Sequence, residues 1–116
     1  MNRRYLSGYR FEQRVRKLFE KNGFTVFRSA GSKQIDLIAV KCGHVFLIEC
    51  RKDEACFSRN DLGKLRRLAE RTGLRVILAS RKNRKVFLLG LEDGKKIPVE
   101  SLSCIHEKQF SKTFQE

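Results

Sequence analysis

Asp36 and Glu49 are the residues most able to do chemistry in this chain. Each is an acid set in a run of apolar, β-branched residues, 35–40 and 45–51, with Lys41-Cys42-Gly43-His44 between the runs. A carboxylate in such surroundings is costly unless something pairs with it. Two of them together suit Mg²⁺ or Mn²⁺, which prefer hard oxygen ligands. An ion held there polarises a phosphodiester and lowers the pKa of a bound water. Arg51 follows Glu49 by two residues, on the same strand face, where its charge orients that water and offsets charge building on the phosphate. The Cys50 backbone carbonyl, between the two, is a further candidate ligand. Glu12 is a candidate third acid, but on pattern alone its spacing better fits a surface acid paired with Arg16 one helical turn on.

The elements that position these residues follow from the pattern. With Cys42-Gly43 as a two-residue hairpin loop, Lys41 pairs with His44 and, counting back, Asp36 lies opposite Glu49. Their Cβ atoms are then about 4.5–5.5 Å apart, and facing like charges destabilise a sheet unless a cation lies between them. Arg51 falls opposite Gln34. A three-residue loop with a bulge would instead put the acids on opposite faces.

Upstream, Phe11, Val15, Leu18 and Phe19 recur at helical spacing over residues 7–22, and Gly23 is placed to stop that helix. Residues 24–28 read as a strand and 29–33 as a small-residue loop. Downstream, Asp61 is the expected N-cap of a helix reaching Thr72, with Leu62, Leu65, Leu68 and Ala69 inward and Lys64, Arg67 and Arg71 on another face. Residues 74–80 are nearly all apolar, as in a strand covered on both faces. A basic turn, 81–85, leads to a returning strand, 86–91. The order α-β-β-β-α-β-β predicts an α/β fold with a mixed five-stranded central sheet flanked by helices. Residues 1–116 make one domain, with a loose basic arm over 1–6 and a C-terminal extension over 92–116 to which the pattern assigns no role.

Composition narrows the partner. Lys and Arg number 26 against 13 acids, a formal net charge of +13. Self-repulsion of that size in a small domain points to a polyanion, and nucleic acid fits best. No apolar segment is long enough for a membrane span, and nothing resembles a signal peptide. Cys42, Cys50, Cys56 and Cys104 lack metal-site or Cys-x-x-Cys spacing, so they read as free thiols of a reducing, cytoplasmic setting. No Walker loop, catalytic triad or small-molecule cofactor motif is present.

Asp36 followed by Ile48-Glu49-Cys50-Arg51 resembles the Asp…Glu-x-Lys core of the restriction-endonuclease-like nuclease superfamily. Within it, a larger set is similar to the archaeal-type Holliday junction resolvases in order and spacing. That set is Glu12, Lys21-Asn22-Gly23-Phe24, Arg28-Ser29-Ala30-Gly31-Ser32-Lys33, Ile35-Asp36-Leu37-Ile38-Ala39, Phe46-Leu47-Ile48-Glu49 and Asp61-Leu62-Gly63-Lys64-Leu65. The resemblance implies a restriction-endonuclease-like fold and a homodimer that binds four-way DNA junctions by shape. It implies paired, Mg²⁺-dependent cuts in opposed strands, with Mn²⁺ as a substitute ion, in DNA recombination and repair. By the same resemblance Glu12, Asp36 and Glu49 are metal ligands, and Arg28 and Ser32 lie near the scissile phosphate. Ser29, Gly31, Ser32 and Lys33 form a DNA-contacting loop, with Arg51 and Lys52 also at the DNA.

Two positions depart from the family pattern. Gln13 stands where a basic residue is common. Arg51 stands where the family has Lys, and an arginine keeps the charge but cannot give up its proton. If the family lysine acts only through its charge, Arg51 suffices. If it acts as a base, the chain is a catalytically weak or inactive junction-binding relative, unless Lys33 or Lys41 supplies an ammonium from a loop.

Overall fold

A computed structural model describes residues 3–29, 34–53 and 56–105, with side chains from Leu6 onward. Helix α1 (Arg3–Lys21) is followed by strands β1 (Thr25–Arg28), β2 (Leu37–Lys41) and β3 (His44–Cys50). Helix α2 (Arg59–Thr72), β4 (Arg75–Lys82), β5 (Lys85–Gly90) and a 3₁₀ helix (Val99–Cys104) complete the chain order. The five strands form one sheet in sequence order. Neighbours are antiparallel except β3 and β4, which run parallel across the α2 crossover.

The two helices cover opposite faces. Phe11, Val15 and Phe19 of α1 pack on Val26, Leu37, Ala39, Ile48, Ile77 and Leu88. Leu65, Leu68 and Ala69 of α2 pack with Leu47, Val76, Leu78 and Leu91. Alternation along β3 therefore sends Phe46, Ile48 and Cys50 toward α1, and Leu47, Glu49 and Arg51 toward α2. As expected from its apolar run, β4 is buried over five consecutive residues between the two layers.

The hairpin register matches the two-residue loop. Lys41 pairs with His44 and Leu37 with Ile48, and Cys42 and Gly43 both have positive φ, 49° and 80°. These are the angles of a type I′ turn, whose twist suits a tight hairpin.

Several boundaries differ from the sequence expectation. Residues 3–6 belong to α1 rather than to a loose arm; nothing before Gly8 breaks a helix. The N-cap of α2 is Ser58, not Asp61. Asp61 is the N3 residue of a reciprocal capping box in which each side chain bonds the other's backbone N–H. Gly73 ends α2 in the left-handed conformation, φ 70°, as anticipated. The tail is more ordered than its pattern implies. Leu102 of the 3₁₀ helix is 1% exposed. Lys41 donates to the carbonyls of Asn22 at 2.8 Å and Leu102 at 3.2 Å, tying the tail to the end of α1. Phe110 and Phe114 lie outside the described residues. All four cysteines are free, and no described helix is long and apolar enough to cross a membrane.

Candidate active site

The β2–β3 ladder ends at the Leu37–Ile48 pair. Beyond it the strands part, and Asp36 and Glu49 sit at the opening. Asp36 is therefore just off the strand rather than within it. Its Oδ2 accepts the Cys50 backbone N–H at 2.8 Å, a donor the departing strand no longer pairs. Glu49 is 8% exposed, and its Oε1 is buried with no hydrogen-bond partner.

Arg51 holds the two acids together. Its Nη2 lies 3.0 Å from Glu49 Oε2 and its Nη1 lies 3.7 Å from Asp36 Oδ2. Nη1 also donates to the Cys50 carbonyl at 2.9 Å, and the guanidinium rests 5.6 Å from the centre of the Phe57 ring. One cation thus touches three oxygen-bearing groups that the sequence nominates as metal ligands.

The electrostatics show that one arginine does not balance the pair. Burial first, then the neighbouring Asp36 carboxylate, push the Glu49 carboxyl from 4.5 up to about 8, against the pull of Arg51. Burial also pushes the Cys50 thiol up, helped by the charges of Asp36, Glu12 and Glu49. That side chain packs toward α1, so Cys50 offers its carbonyl to the site and not its sulfur.

Glu12, on α1, does not join the pair. It is ion-paired with Arg28 at 2.7 Å, and Arg28 also lies over the Tyr9 ring at 5.2 Å. The expected surface pair of Glu12 with Arg16 is not formed; Arg16 bonds Glu20 at 3.4 Å instead. Among the described residues, no three His, Cys, Asp or Glu side chains converge as a metal-binding group. Lys52 points away from the cleft, donating to the Ser7 hydroxyl at 2.6 Å. Lys41 is committed to the carbonyls named above and supplies no ammonium here. Ser29 donates its N–H to the Asp36 carbonyl at 3.0 Å, which ties the start of its loop to the site. Gly31, Ser32 and Lys33 lie outside the described residues.

Glu49 opens into a cleft of about 280 Å³ between the sheet and α2, lined by Gln34, Glu49 and Arg51 on one side and by Asp61, Lys64, Arg67 and Arg71 on the other. The sequence shows these α2 cations as one face of a helix but not where that face points. Their three- and four-residue spacing is the available signal; the crossover that swings α2 over Glu49 is not readable from it.

The site suits a divalent cation. The donor set is hard oxygen: two carboxylates and a carbonyl. An orphaned buried oxygen on Glu49 and its raised pKa both register too little positive charge in the site.

Comparison with known proteins places the chain in a family. Residues 2–108 match the family model described as archaeal Holliday junction resolvase (hjc). The crossover junction endodeoxyribonuclease Hjc of Methanocaldococcus jannaschii is 37% identical over 92 residues, covering 77% of this chain and 69% of that protein. The 1.6 Å structure of Archaeoglobus fulgidus Hjc, a Holliday junction resolvase from an archaeal hyperthermophile, aligns with a TM-score of 0.61 at 22% identity. That alignment covers 93% of this chain and 96% of that one, and at this identity it bears on the fold: a mixed sheet flanked by helices, restriction-endonuclease-like.

Proposed function

Since the chain belongs to the archaeal Holliday junction resolvase family, we propose that it is a structure-selective endonuclease that resolves four-way DNA junctions by divalent-metal-dependent phosphodiester hydrolysis. The observation that carries the reading is the facing pair Asp36 and Glu49, bridged by Arg51 at the mouth of a cation-lined cleft.

Asp36, Glu49 and the Cys50 carbonyl would hold the ion, Mg²⁺ by its preference for oxygen ligands, with Mn²⁺ as a substitute. Glu12 would complete the shell on release from Arg28. The bound ion supplies Lewis-acid polarisation of the phosphate and a water of lowered pKa. The protein's own groups do the rest. The carboxylate of Glu49 orients the attacking water. Arg51 sits within reach of both acids and offsets charge that gathers on the phosphate during attack. Arg28, Ser29, Gly31, Ser32 and Lys33 are assigned to the DNA backbone around the cut, and Lys52, turned toward Ser7, is left out of that set. The family resemblance implies a homodimer, which would set two such acid pairs on one junction, one for each nick.

The test is a labelled four-way junction mixed with the protein, with and without Mg²⁺, beside an Asp36→Asn variant. Paired nicks in opposed strands that require both the metal and Asp36 support the proposal. Tight binding with no cleavage in Mg²⁺ or Mn²⁺ refutes it and leaves the second reading, a junction-binding relative without strong catalysis. That reading is favoured by one observation, the arginine seated on three of the candidate ligands. Arg51→Lys then reports whether arginine limits the rate: a faster variant identifies it as a compromised catalytic cation.

A further inference from the structure

Helix α2 turns a stripe of cations toward the acid pair. Lys64, Arg67 and Arg71 line the cleft that Glu49 and Arg51 close at one end. At 1.5 Å per residue the stripe spans about 10 Å of helix axis, roughly three nucleotide steps of a DNA strand at 3.4 Å each. Among the described residues, none of the three makes a hydrogen bond or ion pair. Lys64 marks the end nearest the chain crossover from β3, on the first turns of α2 beside Asp61, which lines the same cleft as Arg51. Arg66, by contrast, faces a separate hollow with Glu70 and Glu92.

The two lysines next to the acid-bearing strands, Lys41 and Lys52, are spoken for. Lys41 is locked to the Asn22 and Leu102 carbonyls, and Lys52 reaches across to Ser7. Among the described residues, Lys64 is the lysine that opens onto this cleft.

We propose that α2 is the rail that holds the strand to be cut. Arg67 and Arg71 take phosphates flanking the scissile one, and Lys64 takes a non-bridging oxygen of the scissile phosphate beside Arg51. Lys64 thereby supplies the compact ammonium that Arg51 does not. This rests on the nuclease reading above, but its binding test does not depend on cleavage.

The affinity for a four-way junction is measured in EDTA across a salt series, so that no strand is cut. Each lost phosphate contact reduces the steepness with which log K falls against log salt by about 0.9. The Arg67→Met/Arg71→Met variant should therefore lower it by about 1.8, while Arg66→Met leaves it unchanged. An unchanged slope in the double variant overturns the rail, as does an equal drop in Arg66→Met. In single-turnover cleavage with Mg²⁺, Lys64→Met should be at least about 10-fold slower, with Lys64→Arg between it and the parent. Equal rates overturn the Lys64 assignment. Absence of cleavage by the parent protein sinks the nuclease reading alone, because the salt slopes still decide the rail.

Discussion

Glu49→Gln should make the metal-free protein more stable at alkaline pH while abolishing cleavage. The carboxyl of Glu49 is displaced from 4.5 to about 8, so the fold favours its protonated form. A raised folded-state pKa contributes stability that is fully present below 4.5 and is lost as pH rises through 8. At about 1.4 kcal/mol per pH unit the full displacement corresponds to roughly 5 kcal/mol. Glutamine removes that loss but buries an amide where Glu49 Oε1 already lacks a partner, a penalty of about 1–3 kcal/mol. The net gain at about pH 8.5 is then roughly 2–4 kcal/mol. For a domain of this size that is a rise in Tm of about 8–16 °C. Thermal melts of both proteins in EDTA, from about pH 5 to 9, check it. The variant should match or fall below the parent at the acid end and gain steadily on it as pH rises. A variant that melts lower at about pH 8.5, or a difference that does not change with pH, refutes the idea that Glu49 is held against its charge. Saturating Mg²⁺ should raise the Tm of the parent and leave the variant nearly unmoved.

Three further outcomes test the surrounding structure. Asp36→Ala should cost about 1–3 kcal/mol in urea melts at acid pH because it strands the Cys50 N–H, whereas Asp36→Asn keeps that bond and should cost less than about 1 kcal/mol. Ser58→Ala removes the N-cap of α2 and should cost about 1 kcal/mol with an unchanged m-value. Lys41→Met strands the Asn22 and Leu102 carbonyls and should cost about 1–3 kcal/mol, with faster amide exchange in the 3₁₀ helix before any change at β3.

What is legible in the sequence is whatever depends on local pattern. Alternation over 45–51 assigns Glu49 and Arg51 to one face, and the Cys42-Gly43 turn sets the register that pairs Leu37 with Ile48 and leaves Asp36 one residue past the last pair. Both acids follow from those two local signals alone. The misses mostly involve contacts distant in sequence. Glu12 lies at the border of its helical stripe, and nothing local says that Arg28, sixteen residues on, will claim it. Ser58 and Asp61 are both good capping residues; the choice between them turns on a reciprocal bond between positions three residues apart. The order of residues 97–105 comes from Leu102 entering a core built from α1 and the sheet, which no periodicity in a six-residue segment announces. The cations of α2 are visible as a face, but a face acquires meaning only from what it looks at.

The place where the hairpin opens explains why the site is where it is. Within a ladder, backbone N–H groups are consumed and facing carboxylates have no relief. One step past the last pair, the Cys50 N–H is released by β2 and taken by Asp36, while β3 stays anchored on its other side by β4, where the Arg51 N–H bonds the Ala79 carbonyl at 2.9 Å. Glu49 and Arg51 are thus fixed by a parallel neighbour while their antiparallel neighbour withdraws. The result is a rigid wall with a gap beside it, which lets two acids approach closely without either strand being free to relax them apart. Sequence changes that extend the β2–β3 ladder by one pair should close that gap, and with it the cation site, even if every acid is retained.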